Sequence, residues 1–228
     1  EALAGRFSCR DYLDTPVPRE LVEAILEGAS RAPSGGNLQP WRIWALTGEP
    51  LRALEAAVLD RVAAGALSDG EPEYFIYPPH MGEPFAERRF RSGEAYYNSI
   101  EVTRDDAMAR FREFRRNFEF FGAPVGLIVA VDRSLQQGQW SDVGMYLQSL
   151  MLLARANGLH TVALESWSLF HRTVREALGV PDELIIFCGV ALGHGRMDSP
   201  FNQYRSTRVP LAEFAVLDGF DSQARSSL

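Results

Sequence analysis

The sequence predicts one domain of the α/β or α+β class, built around a small sheet. Three observations carry that expectation. Apolar runs of strand length at 41–47, 125–131, 160–165 and 184–192 alternate with stretches of helical period. A length of 228 residues suits a single domain, 1–228, with 66–100 as an insertion. There is no internal repeat, no low-complexity tract and no apolar run near the roughly 20 residues that cross a bilayer.

The elements follow in order. Arg19 to Arg31 sets Leu21, Val22, Ile25, Leu26 and Ala29 on one helical face behind Pro18. Ala32-Pro-Ser-Gly-Gly-Asn-Leu-Gln-Pro40 stops that helix as a loop. A strand over Trp41–Thr47 and a helix over Leu51–Ala64 come next. Residues 66–100 read as irregular, interrupted by Pro78-Pro79, Gly82, Pro84 and Gly93, with tyrosines to pack them on the surface as a lid. Thr103 with Asp106 resembles a capping box opening a helix whose Phe111, Phe114, Phe118 and Phe121 share a stripe. Val125–Val131 is apolar throughout, a strand covered on both faces. Ser141–Asn157 shows the clearest helical face, stopped by Gly158. Strands over His160–Glu165 and Leu184–Leu192 flank a short helix, Phe170–Leu178. Beyond Ser199 there is little period until Leu211–Leu217.

Composition excludes several classes. With a formal net charge of −7 and no Lys/Arg stripe interleaved with aromatics, no nucleic-acid partner is expected. The two cysteines form no disulfide framework, and the visible N-terminus lacks a signal-like pattern, so a reducing cytoplasm is the expected compartment. No membrane partner is expected. The four histidines never fall at i, i+4 spacing, and no His/Cys pair has zinc spacing, so no metal is expected. A nucleophile elbow, a P-loop and the Rossmann glycine order are also missing. The glycines of Gly189-Val-Ala-Leu-Gly193-His-Gly195 are read as room for a close approach over something flat or over neighbouring backbone.

Two basic, hydroxyl-bearing clusters stand at opposite ends of this acidic chain: Arg6-Phe7-Ser8-Cys-Arg10 and Asn202-Gln-Tyr-Arg205-Ser-Thr-Arg208. Guanidinium forks and short hydroxyls match phosphate or carboxylate oxygens, so a fold that joins the ends would make an anion clamp. The loop Pro33-Ser34-Gly-Gly-Asn37-Leu-Gln39 offers side-chain donors and close backbone approach. Leu164-Glu165-Ser166-Trp167 mounts backbone N–H groups at a strand end, with Trp167 bordering a pocket.

Together these motifs resemble the FMN-dependent nitroreductases, in family order: Arg6-x-Ser8-x-Arg10, Ala32-Pro-Ser-x-x-Asn-x-Gln-Pro-Trp41, Asn117 before Phe-Phe-Gly-Ala-Pro124, Glu165-Ser-Trp167 and Asn202-x-x-Arg205-x-x-Arg208-x-Pro210. The Tyr/Pro insertion is similar to the branch that includes nitrobenzoate reductases. The resemblance implies an α+β three-layer fold, a small mixed or antiparallel sheet flanked by helices, with a C-terminal tail extending onto the partner of a homodimer. It implies FMN held by Arg6, Phe7, Ser8 and Arg10, with Arg205 and Arg208 joining Arg6 at the phosphate. Arg10 would lie toward the pyrimidine end, where a cation favours the charge that reduction creates. Pro33, Ser34 and Asn37 would reach the other subunit's flavin, Asn117 the ring or ribityl, and Leu164, Glu165 and Ser166 the O4/N5 edge. Many family members carry Lys where Arg10 and Arg205 stand. Tyr96, Tyr97 and Trp167 are the expected contacts to a small aromatic substrate. No residue of the chain is expected to be catalytic, the flavin doing the chemistry. The implied activity is NAD(P)H-dependent, ping-pong reduction of nitroaromatics or quinones. Reductive dehalogenation or other flavin chemistry on this fold, and a non-catalytic flavin-binding or sensory role, are the alternatives.

Overall fold

The computed structural model describes residues 1–220. Four strands, β1 (Trp41–Thr47), β2 (Val125–Asp132), β3 (His160–Leu164) and β4 (Leu184–Gly193), form one sheet in the order β1-β2-β4-β3. Every neighbouring pair is antiparallel, which makes the fold α+β. The sequence leaves this open because β2 and β4 are buried on both faces, and a continuous apolar run reads the same in a central antiparallel strand as in a parallel one.

Alternation of side chains distributes the core between two layers. Ile128 and Ala130 of β2 face α3 (Gly48–Ala63), α7 (His171–Leu178) and the aromatic cluster of Phe118, Phe120 and Trp167. Leu127, Val129 and Val131 face α2 (Arg19–Ala29) and α6 (Gln137–Ala156). In β4 the parity changes partway: Ile186 shares a layer with Ala191, five positions on. The cause is a bulge, since Val129 pairs with Cys188 but Ala130 pairs with Ile186, leaving Phe187 as the extra residue. That residue matters below.

Three helices differ from the sequence expectation. Residues 66–100 are not irregular throughout, because Phe85–Ser99 is a helix, α4. None of its residues is buried, so it has no apolar stripe by which a period could be recognised. The cap of α5 (Ala107–Arg115) is Asp106, whose carboxylate accepts from the Ala109 N–H at 2.8 Å, rather than Thr103. The expected phenylalanine stripe breaks after Arg115, where the chain enters a 3₁₀ turn with Phe120 and Phe121 at φ 43° and 55°. Left-handed aromatics are costly, and Phe118, Phe120 and Phe121 offset that strain by full burial. Helix α6 begins at Gln137, a turn before the predicted start.

The chain ends meet beside β3. Ser8 forms a bridge to Thr161, the Cys9 N–H donates to the Thr161 carbonyl at 3.1 Å, and Tyr12 bridges Gly195 just past β4. Asn202, 1% exposed, closes the junction. Its Oδ1 accepts from the Arg10 N–H at 2.7 Å, and its Nδ2 donates to the carbonyls of Asp11 (2.8 Å) and Arg196 (2.9 Å). No described helix is long and apolar enough to cross a membrane. Of the C-terminal segment beyond Ser199, residues 221–228 lie outside the described residues, and up to Phe220 it has two short turns, Pro200–Asn202 and Leu211–Glu213.

Candidate functional site

The Asn202 junction brings the two basic clusters together. Arg6, Ser8, Arg10, Arg205 and Arg208 border one cavity of about 770 Å³, with the Phe7 ring in its wall. Arg205 stacks on Phe7, its guanidinium carbon 3.7 Å from the ring centroid, and Nη1 donates to the carbonyls of Asn202 and Tyr204. Arg208 uses Nη1 alone, on Ser206 and the Thr207 carbonyl. None of these four arginines has a carboxylate partner among the described residues, whereas Arg19, Arg52, Arg88, Arg110, Arg116 and Arg175 are all paired. Four guanidinium groups without a carboxylate partner converge on this one cavity in a chain of net charge −7, a placement suited to an anion.

Arg10 is held most tightly. Its carbonyl accepts from Arg116 Nη2 at 2.6 Å, Nη1 turns back to the Ser8 carbonyl at 3.4 Å, and its guanidinium lies 4.4 Å from the Tyr96 ring centroid. The nearby carboxylate, Glu113, is occupied elsewhere: it accepts from the Tyr96 hydroxyl and from Arg116 Nη1 at 2.9 Å. Burial, together with that carboxylate, pushes the Tyr96 phenol far above its ordinary range. Tyr96 therefore stays a neutral donor, and Arg10 keeps its charge free.

A second cavity, about 620 Å³, is bordered by Leu164, Glu165, Ser166, Asn117 and the aromatic wall of Tyr74 to Tyr77. Ser166 Oγ is buried without a hydrogen-bond partner among the described residues. Burial raises the Glu165 carboxyl. The Asn117 amide donates to the Phe114 carbonyl at 2.7 Å, leaving its oxygen free of any partner among the described residues. The bulge supplies the remaining wall: Phe187 stacks with Tyr74 at 5.7 Å, and the Tyr74 hydroxyl donates to the Phe187 carbonyl. A third cavity lies between the two, bordered by Arg10 and Tyr204 of the first and by Tyr77 and Arg89 of the second.

Three sequence expectations need correction or relocation. Trp167 does not border the pocket. It is fully buried, stacked on Phe120 at 4.4 Å and edge-on to Phe118. The flat object that Gly189 accommodates is this indole, since a Cβ there would lie 2.3 Å from Trp167 Cδ1. An aromatic at a strand end carries no sequence mark separating a pocket wall from the packing wedge beneath it. Tyr96 borders the third cavity, but Tyr97 is not among the residues bordering any of the three and instead lies 4.2 Å beneath Arg110. Pro33, Ser34 and Asn37 stand apart from the clamp. Their loop is fastened to α6 by the Gly35 N–H on Asp142 at 3.1 Å and braced by the Gln39 N–H on Ser34 Oγ. Sequence reasoning passed over Asn202 as a staple, Arg116, Glu113, Phe187 and Arg89. Only Asn202 had a visible signal, its place in the closing motif.

Among the described residues, no group of three or more His, Cys, Asp or Glu side chains could hold a metal ion. Fold and cavities together define an α+β protein with a cationic cavity and a neighbouring aromatic slot. The sequence model of the Nitroreductase family matches residues 3–194. A 4-nitrobenzoate reductase from Nocardioides sp. (strain LMS-CY) is 40% identical over 91% of this chain and 84% of its own length. A chloronitrobenzene nitroreductase from Comamonas testosteroni is 38% identical over 95% of each chain. The crystal structure of the FMN and NADPH-dependent nitroreductase NfnB from Sphigopyxis sp. strain HMH superposes with a TM-score of 0.92 at 44% identity, covering 96% of this chain and 98% of that one. The chain belongs to the Nitroreductase family.

Proposed function

We propose that the protein is an FMN-dependent oxidoreductase that uses NAD(P)H to reduce nitroaromatics or quinones. The observation that carries this is the convergence on one cavity of four arginines that have no carboxylate partner among the described residues, with a second cavity bordered by Ser166 and Asn117 nearby. That donor set fits FMN: a phosphate dianion at one end, a flat heterocycle with polar edges at the other. Bound FMN would supply the two-electron chemistry, taking hydride from the nicotinamide and passing it to the acceptor.

The chain's own residues bind, orient and polarise. Arg6, Arg205 and Arg208 neutralise the phosphate by charge-assisted hydrogen bonds. Arg10, kept free of Glu113 by Tyr96 and Arg116, serves the ring end and favours the negative charge of reduction. Ser166 and the backbone at Leu164 and Glu165 serve the heterocycle edge, while Pro33, Ser34 and Asn37 serve the partner subunit's site in a homodimer. The segment 66–100 acts as a lid of one domain, 1–228, and Tyr96 contacts the aromatic substrate. Relatives named for nitrobenzoate and chloronitrobenzene reduction support the nitroaromatic reading.

The test is spectroscopic. Protein loaded with FMN should lose its flavin absorbance when NADPH or NADH is added anaerobically and regain it with a nitroarene. Protein that cannot be loaded with FMN, or whose bound flavin no nicotinamide reduces, would refute this function.

A further inference from the structure

In the third cavity, two cations lack a carboxylate partner among the described residues, Arg10 and Arg89. Arg88 pairs with Glu213 at 2.9 Å, Glu94 pairs with Arg110 at 2.8 Å, and Arg10 lies on Tyr96. Arg89 has neither a carboxylate partner nor a hydrogen bond among the described residues. Its guanidinium lies 4.1 Å from the Tyr77 ring centroid, and both residues also border the aromatic slot. Stacking engages the face of a guanidinium and leaves its in-plane N–H fork available.

The mount is firm. Tyr77 ends a stretch pinned to the body: Asp69 accepts from the Thr173 N–H at 2.8 Å, and Glu73 accepts from Arg175 at 2.9 Å and from the Ile186 N–H at 3.0 Å. In the slot, Arg89 and Glu165 are the charged-type residues on a border otherwise mostly apolar or aromatic. They form no ion pair with each other, and burial favours the neutral form of Glu165. Arg89 is exposed at the edge of the slot, so a carboxylate on a flat apolar ring held in the slot could meet its fork in a charge-assisted hydrogen bond.

We propose that Arg89 is the specificity-determining residue for acceptors that carry a carboxylate on the aromatic ring, gripping that carboxylate with its free fork. This rests on the nitroreductase reading above and adds the substrate class. Carboxylated nitroarenes are favoured over neutral ones by the charge-assisted contact, and the ring lies in the aromatic slot.

The experiment uses the FMN-loaded protein and its Arg89→Gln and Arg89→Lys variants. Each is titrated with 4-nitrobenzoate and with nitrobenzene, following perturbation of the flavin spectrum, and then assayed with both acceptors and both nicotinamides. Arg89→Gln should weaken 4-nitrobenzoate binding about 10- to 100-fold, raise its KM in step and leave kcat largely intact. Lys, which keeps the charge and loses the fork, should restore part of the affinity. Nitrobenzene and FMN binding should stay within about threefold. Equal loss for both acceptors would reduce Arg89 to a structural role, and no loss for either would remove it from the site. A loss confined to NADPH relative to NADH would place a dinucleotide phosphate on Arg89. Each of these overturns the proposal. If 4-nitrobenzoate binding depends on Arg89 but no nicotinamide supports its reduction, the anion site stands and the nitroreductase reading falls.

Discussion

The site is marked by where unpaired arginines converge. Many arginines sit in ion pairs, and the exposed pairs contribute little; others stand unpaired and apart. The four in the clamp face a cavity without an acid. Sequence spacing revealed these four because arginines and hydroxyls at fixed intervals near a terminus have few structural reasons to occur. It could not show that Glu113 is diverted from Arg10, because that depends on Tyr96 and Arg116 arriving from other elements. Arg10→Ala should shift the flavin midpoint potential downward while costing less FMN affinity than loss of a phosphate arginine; an unchanged potential would contradict its ring-end role. A second residue-scale prediction concerns pH. Burial, with Glu119 adding repulsion and Arg52 opposing it, pushes the Glu55 carboxyl up to about 7. The unfolded chain ionises this group near the ordinary value of about 4.3, so stability is unaffected below that pH, falls as pH rises from about 4.3 to about 7, and levels off above. Glu55→Gln should therefore match the parent Tm near pH 4, exceed it increasingly as pH rises toward about 7, and hold a constant advantage above that. A Tm difference that does not vary with pH would contradict the raised value.

At the level of elements, all four strands were legible because their apolar runs have the right length and clear boundaries. The bulge was not, since inserting Phe187 changes pairing without changing composition, yet it turns that ring and Cys188 toward the slot. Helix α4 was missed for a related reason: it is held by polar and aromatic tethers such as Arg88–Glu213 and Tyr96–Glu113 rather than by a buried face. The strand end under Glu165 is set by packing. Gly189→Ala would drive a methyl group into Trp167 and should destabilise the protein by about 1–3 kcal/mol. It should also weaken flavin binding through displacement of Ser166, and a fold and affinity both unchanged would show the contact to be slack. Glu73 ties the slot wall to α7 and β4. Glu73→Gln should accelerate amide hydrogen exchange over 69–77 while leaving the sheet protected; uniform loss of protection would mean that the pin supports the whole fold instead.

Across the whole molecule, the ends of the chain make the site. Asn202 ties the N-terminal cluster to the C-terminal one with three hydrogen bonds, and only the folded topology puts Arg6 beside Arg208. Beyond it, Leu211, Phe214, Val216 and Phe220 are 53%, 67%, 93% and 79% exposed, an apolar stretch that the described residues do not cover. Deleting 209–228 should yield protein that aggregates or fails to retain flavin, whereas a fully loaded truncated dimer would contradict a tail that reaches the partner. The most direct test of the clamp compares two ligands that differ only by the phosphate. Dissociation constants for FMN and riboflavin are to be measured for the parent protein and for Arg208→Ala. The account predicts that FMN binding weakens by about one to two orders of magnitude while riboflavin binding barely changes. Equal weakening of both ligands would contradict it, because Arg208 would then not be holding the phosphate.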